Sequence, residues 1–190
     1  HGVEWDAVER PSQFMENWCW QADVMPLISG HYQTGEPLPD TLFAKMLSAK
    51  NFQSGMQMLR QVEFSLFDFR VHLEYEASSG AKIYEILQQV RDRVSVVKAP
   101  VFNRFPNSFS HIFAGGYGAG YYSYKWAEVL SSDAFSLFEE KGVFDEKTGR
   151  SFLRNVLEKG GSDDALNLFT AFRGREPSID ALLKQSGIVT

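Results

Sequence analysis

Two stretches of this 190-residue chain carry side chains of the types that do chemistry. The first runs from Trp5 to Trp20 and reads WDAVERPSQFMENWCW. Its Asp6, Glu9, Gln13 and Glu16 stand three, four and three residues apart, the spacing that lines polar groups along one face of a helix. Proline is tolerated in a first helical turn, so Pro11 predicts a regular helix beginning near Arg10, with Asp6 and Glu9 at its start. Two readings fit that face. Pattern alone favours a solvated polar surface. The alternative is a carboxylate turned toward a metal, with polar partners one turn to either side. A catalytic zinc takes three protein ligands. The histidines are His1, His31, His72 and His111, and no two have the spacing of a ligand pair. The residues alone therefore do not make a metal site.

The second stretch, Ser110 to Trp126, reads SHIFAGGYGAGYYSYKW and holds one histidine, four glycines and four tyrosines. Gly115, Gly116, Gly118 and Gly120 permit backbone conformations that other residues resist, and such a loop moves unless something clamps it. Tyr117, Tyr121 and Tyr124 are spaced by four and three, so a helix from about residue 117 onward would put them on one face. Tyr122 is expected to point elsewhere, beside Trp126. A phenol is protonated at neutral pH and donates a hydrogen bond. Two phenols converging on one point could stabilise a developing oxyanion, one such donor being worth about 3 kcal/mol of barrier. His111 could donate as well. The competing reading is that aromatics at helical spacing are core. It weighs most for Tyr121 and Tyr122, and least for Tyr117, which lies between glycines.

The elements that must position these groups are helical. Phe52, Met56, Leu59, Val62, Leu66, Phe69 and Leu73 recur at steps of three and four and predict a long amphipathic helix over about 51–75. Ile83, Ile86, Leu87, Val90 and Val94 predict a second. Trp126, Val129, Leu130, Ala134, Leu137 and Phe138 predict a third, running to Gly142. A shorter helix is expected from Thr148 to Leu157. Another is expected to be capped by Ser162, with Asp163 and Asp164 in its first turn, and a last one begins near Pro177. Residues 30–40 read as a loop, and 96–110, with Pro100 and Pro106, as extended or irregular. No repeat or linker divides the chain, so the expectation is one all-α unit over 1–190. Within it His72 reads as structural and His31 as a surface residue.

Composition narrows the partners. Hydrophobic residues make up 44% and the formal charge is −5. The chain is thus globular, and its charge argues against nucleic acid and against an anionic membrane surface. Cys19 is the only cysteine, so no internal disulfide forms. Its Trp18 and Trp20 neighbours suggest a buried thiol in a reducing compartment. It has no matched histidine to activate it, and no phosphate-binding glycine motif or serine nucleophile elbow occurs.

The two clusters, in this order, resemble the thimet oligopeptidase / oligopeptidase A family of zinc metallopeptidases, the bacterial oligopeptidase A branch most. The segments that carry the resemblance are VEWDAVERPSQFMENWCW, FPNSFSHIFAGGYGAGYYSYKWAEV and GGSDDALNLFTAFRGREPSIDALL. The resemblance implies an all-α, multi-helix, C-terminal part of a zincin-type catalytic domain. It implies that Glu9, in Val8-Glu9-Arg10-Pro11-Ser12-Gln13, is the third ligand of one zinc ion, with Asp6 and Glu16 as polar neighbours. Arg10 departs from the smaller or apolar residue expected after the ligand. The resemblance makes 110–124 a mobile substrate loop. His111, Tyr121, Gly115 and Gly116 would contact a short peptide, and Tyr117 and Tyr124 would serve both peptide and oxyanion. The family's His-Glu-x-x-His helix, with two zinc ligands and the general base, does not occur in these residues. The expectation is therefore a portion of a longer cytoplasmic enzyme, partnered by the N-terminal part of its own polypeptide and inactive without it. A non-catalytic helical module that binds peptides or proteins is the other function the residues allow.

Overall fold

Apolar residues recurring at steps of three and four become helices, but the stripe expected over 51–75 is not the face that is buried: Phe52, Met56, Leu59, Phe69 and Leu73 are exposed, and Glu63, Phe67 and Asp68 are buried instead. The computed structural model describes residues 2–189. The longer helices are α1 (Arg10–Glu16), α2 (Asp40–Lys50), α3 (Ser54–Leu73), α4 (Ile83–Val94), α5 (Ser123–Lys141), α6 (Glu146–Phe152), α7 (Ala165–Arg173) and α8 (Asp180–Gln185). Single turns at Met25–Ile28, Phe105–Ser108 and Ser110–Phe113 link them. Among the described residues no strand forms. One isolated bridge pairs Glu76 with Gly80, and residues 94–97 stay out of any sheet. The all-α expectation holds. α2 lies outside the helices expected from the sequence, although Leu42, Phe43, Met46 and Leu47 recur at steps of three and four; none of its residues is fully buried, and Phe43, Met46 and Leu47 are half-buried.

Two compact units emerge. One comprises the described residues up to Ser54 together with those from Trp126 onward, and the other is Gly55–Lys125. The core of the first is aromatic. Phe14 stacks on Phe152 with centroids 4.0 Å apart, and Trp18 sets its ring edge-on to Phe135 at 4.7 Å and Phe138 at 4.9 Å. Leu130, Ala134, Val156, Phe169 and Phe172 complete it. The Trp18 indole N–H donates to the Val143 carbonyl at 3.0 Å, so the half-buried ring packs on the core with its polar atom satisfied. In the second unit Phe67, Ile86, Leu87, Val90, Phe109, Ile112 and Tyr121 form the core, and Phe64 stacks on Phe105 at 4.6 Å. Glu63 is buried there. It accepts from Arg91 Nε at 2.9 Å, Ser95 Oγ at 2.6 Å and Arg60 Nη1 at 3.1 Å, which offset its desolvation.

Helix ends depart from expectation in three places. Asp145 caps α6, accepting from the Thr148 N–H at 2.8 Å, and α6 then continues into a wider π turn, Leu153–Leu157. Ser162 does not cap α7. Asp164 occupies that position without a side-chain bond, and the Glu4 carboxylate accepts the Ala165 N–H at 3.1 Å. A residue 161 positions away thus does what the local sequence suggested for a serine. Pro177 lies ahead of α8, which starts at Asp180 with the Ser178 hydroxyl accepting the Asp180 N–H at 3.2 Å. Cys19 is exposed, not buried. It sits in the 3-10 turn Asn17–Trp20, which turns its neighbour Trp18 inward instead.

The FRGREP segment is anchored by one acid. Asp133, fully buried on α5, accepts both guanidinium arms of Arg175, one at 2.7 Å, and the Ser178 N–H at 2.7 Å. Arg173 Nε donates to the Asp133 carbonyl at 3.2 Å. Burial raises the Asp133 pKa, but the Arg175 hydrogen bonds, the Ser178 N–H and the charges of Arg175 and Arg173 together hold it below the usual carboxylate range. A carboxyl with a lowered folded pKa contributes stability that is present above its unfolded pKa and is lost as pH falls through the folded value. Urea unfolding of Asp133→Asn should show a loss of about 3–5 kcal/mol, the cost of removing one partner of a buried pair. That loss should shrink as the wild type itself is taken below the carboxylate range. A variant within ~0.5 kcal/mol of wild type at neutral pH would show that Asp133 anchors nothing.

Candidate functional site

Glu9 is the residue just ahead of α1, and its carbonyl accepts the first helical bond, from the Gln13 N–H at 3.1 Å. Pro11 falls within the first turn, where its missing N–H costs nothing. The Glu9 side chain is half-buried, and its Oε2 accepts from Ser12 Oγ at 3.2 Å. The helical face predicted over 6–16 is only partly a helix. Asp6 lies in the separate 3-10 turn Trp5–Ala7 and is half-buried, as is Gln13, while Glu16 is exposed. Arg10 turns away from that face. It is 5% exposed and its Nη1 donates to the Ala165 carbonyl at 3.2 Å, while its Nε has no hydrogen-bond partner among the described residues. Burial lowers the guanidinium pKa and the nearby Glu4 charge opposes the shift. The departure at position 10 is thus absorbed by packing against the start of α7.

In the other unit the histidine and three tyrosines come together, though not as sequence spacing suggested. α5 begins only at Ser123, so Tyr117 and Tyr121 precede the helix, and a turn brings the rings together instead. Tyr117 and Tyr124 stack at 5.0 Å, and Tyr121 lies 5.1 Å from Tyr124. The His111 ring is 5.8 Å from Tyr121, 6.1 Å from Tyr124 and 6.2 Å from Tyr117. The turn is closed by the Tyr117 N–H on the His111 carbonyl at 2.9 Å and the Gly120 N–H on the Tyr117 carbonyl at 2.8 Å.

Two glycines make that turn possible. Gly116 has φ +85°, and a Cβ on Gly115 would stand 3.0 Å from the His111 Cα and carbonyl oxygen. Tyr121 is buried and donates its hydroxyl to Gln61 Oε1 at 3.1 Å. Tyr117 and Tyr124 are half-buried and His111 is exposed. Tyr122 stacks on Phe69 at 5.2 Å. The rings of one histidine and three tyrosines thus gather in one cluster, and phenol and imidazole are donor types suited to a carbonyl oxygen gaining charge.

The remaining candidates resolve simply. His31 is exposed, its Nδ1 accepting from the Gln33 and Thr34 amides. His72 is held by Asp68. His1 lies outside the described residues. Among the described residues no three His, Cys, Asp or Glu side chains gather as a metal site. The Glu9 carboxylate is of a donor type that zinc accepts as one ligand among three. The described helices include none long and apolar enough to cross a membrane.

Compared with known proteins, residues 1–188 match Peptidase family M3. The chain is 60% identical over 187 residues to Oligopeptidase A of Escherichia coli K12, an alignment covering 98% of this chain and 28% of that protein. It is 50% identical over 191 residues to the probable cytosolic oligopeptidase A of Arabidopsis thaliana, covering 98% of this chain and 27% of the relative. To the dipeptidyl carboxypeptidase of Escherichia coli K12 it is 35% identical over 186 residues, 96% of this chain and 27% of the relative. The chain thus spans little more than a quarter of the curated relatives it matches.

Proposed function

The chain belongs to Peptidase family M3, and from that premise we propose that the polypeptide carrying it is a cytoplasmic, zinc-dependent oligopeptidase acting on short peptides. This chain supplies the C-terminal part of its catalytic domain. Glu9 is one zinc ligand, and a His-Glu-x-x-His helix elsewhere in the same polypeptide supplies two more and the general base. When bound, the zinc polarises the scissile carbonyl and activates water. The chain's own groups bind and orient. The His111 ring and the backbone at Gly115 and Gly116 meet the peptide, and Tyr121 contributes its ring to the same wall. The Tyr117 and Tyr124 hydroxyls donate to the carbonyl oxygen as it becomes an oxyanion. The observation that carries this reading is the convergence of Tyr117, Tyr124 and His111 within 5.0–6.2 Å of one another beside Gly115 and Gly116.

Zinc content and turnover of a fluorogenic peptide, measured on the isolated chain and on the complete polypeptide, test it. The isolated chain is expected to hold no stoichiometric zinc and to show no turnover. The complete polypeptide should hold one zinc and hydrolyse the peptide. Tight zinc with turnover in the isolated chain would mean that the ligand set is complete within it and that the division of labour is wrong. A complete polypeptide without zinc or turnover would end the peptidase assignment.

A further inference from the structure

Asp68 is fully buried in α3, and its side chain bonds to backbone far along the chain. Its Oδ1 accepts the Ala119 N–H at 2.8 Å and its Oδ2 the Tyr121 N–H at 2.9 Å, across 51 and 53 residues of chain. His72, one turn on, closes the remaining side. Its Nδ1 lies 2.9 Å from Asp68 Oδ1 and 2.8 Å from the Asp68 carbonyl, and since both partners only accept, Nδ1 carries the hydrogen. The loop lies directly on that ring, for a Cβ on Gly118 would stand 3.1 Å from His72 Nε2.

The backbone between the two clamped amides is strained. Ala119 has φ +57°, a left-handed conformation that a residue with a Cβ resists. Such a conformation persists where its surroundings over-determine it, and it gathers at functional sites. Here the surrounding element is a buried carboxylate gripping the amide of the strained residue and the amide two residues on. Charge-assisted bonds are about twice as strong as neutral ones. The residues so fixed are flanked by Tyr117 and Tyr124, whose rings stack, and include Tyr121, which packs against His111.

We propose that Asp68 is the positioning residue of the tyrosine loop, holding it by the Ala119 and Tyr121 amides so that Tyr117, Tyr124 and His111 face one point, with His72 fixing the carboxylate. The consequence for catalysis rests on the peptidase reading above, but the clamp does not. Gly116, at φ +85°, lies on one side of the segment anchored at 119–121.

Amide exchange of the wild-type complete polypeptide gives the first test, with no variant needed. The Ala119 and Tyr121 amides, outside any helix, should be protected well above those of Gly116 and Gly118. Equal rates would overturn the clamp. Asp68→Asn leaves the shape but turns an NH2 toward one of the two amides. Exchange at 119–121 should then rise about 10- to 100-fold while that within α4 stays at its wild-type rate. With zinc retained, kcat on a fluorogenic peptide should fall about 10- to 100-fold and KM should rise as well, since the loosened loop carries the groups that meet the peptide; a smaller folded fraction would lower apparent kcat at unchanged KM and would speed exchange within α4 too. Faster exchange with unchanged kcat in an active enzyme would overturn the positioning role. A wild type with no turnover would instead sink the peptidase reading, and the exchange data would still decide whether Asp68 holds the loop.

Discussion

Glu9→Ala in the complete polypeptide is expected to strip the zinc and, with it, nearly all peptide hydrolysis. Residues that merely support a metal ligand already cost about 10- to 100-fold in affinity or activity when changed, so loss of a direct ligand should exceed about 100-fold in both. Losing the ion withdraws its stabilisation of the folded state, so the variant's thermal midpoint should fall below that of the zinc-loaded wild type and no longer respond to added zinc. Glu9→Gln sharpens the point. It keeps the shape and an acceptor for Ser12 but removes the negative charge, and a zinc ligand set should suffer nearly as much from it as from alanine. If both variants kept zinc and activity within about 2-fold, Glu9 would be an ordinary half-buried surface acid. The chain would then fit better as a helical peptide-binding module, whose affinity should be indifferent to zinc.

How much of this was legible beforehand follows from the range of the forces involved. α4 and α5 could be read because periodic burial is a local signal: Ile83, Ile86, Leu87 and Val90 state their face within a dozen residues. α3 reads as a helix but on the wrong face, since Met56, Leu59, Phe69 and Leu73 are exposed while Glu63, Phe67 and Asp68 are buried. α2 carries the same kind of signal in Leu42, Phe43, Met46 and Leu47 and goes unread, being short and following a proline-rich loop. The tyrosine cluster was found by residue type, but its geometry was misassigned to a helix face. The rings converge through a turn whose closing bonds, such as the Tyr117 N–H to the His111 carbonyl, have no signature in spacing. Asp68 and Asp133 went unread for the same reason, since their partners lie 40 to 53 residues away. A signal was available: both acids sit within the apolar stripes of their helices, Asp68 beside Phe67 and one turn from Phe64, Asp133 beside Ala134 and near Leu130. An acid there must be satisfied from elsewhere. The metal was the least legible part. A single carboxylate does not specify an ion, and it was the likeness to a family, not the spacing, that singled out Glu9.

Tyr124→Phe should lower kcat by about 100- to 1000-fold with zinc retained, the usual effect of removing one preorganised oxyanion donor. The ring is already placed by stacking on Tyr117 at 5.0 Å and by contact with Tyr121 at 5.1 Å. Phenylalanine preserves both ring contacts, so the change removes the hydroxyl and the bonds that hydroxyl makes. KM should move far less than kcat, because the oxygen it serves carries its full charge only in the transition state. Tyr117→Phe tests whether the second phenol serves the same atom. Two donors to one oxyanion are coupled, so the double variant should lose less than the sum of the two single losses in free energy. Independent roles, with Tyr117 binding peptide and Tyr124 serving the oxyanion, should give simple additivity and place the Tyr117 loss in KM. Unchanged kcat in Tyr124→Phe would remove the oxyanion role from this hydroxyl. The stacked pair would then be a hydrophobic wall of the peptide site, and the donor would have to be sought at His111 or in the rest of the polypeptide.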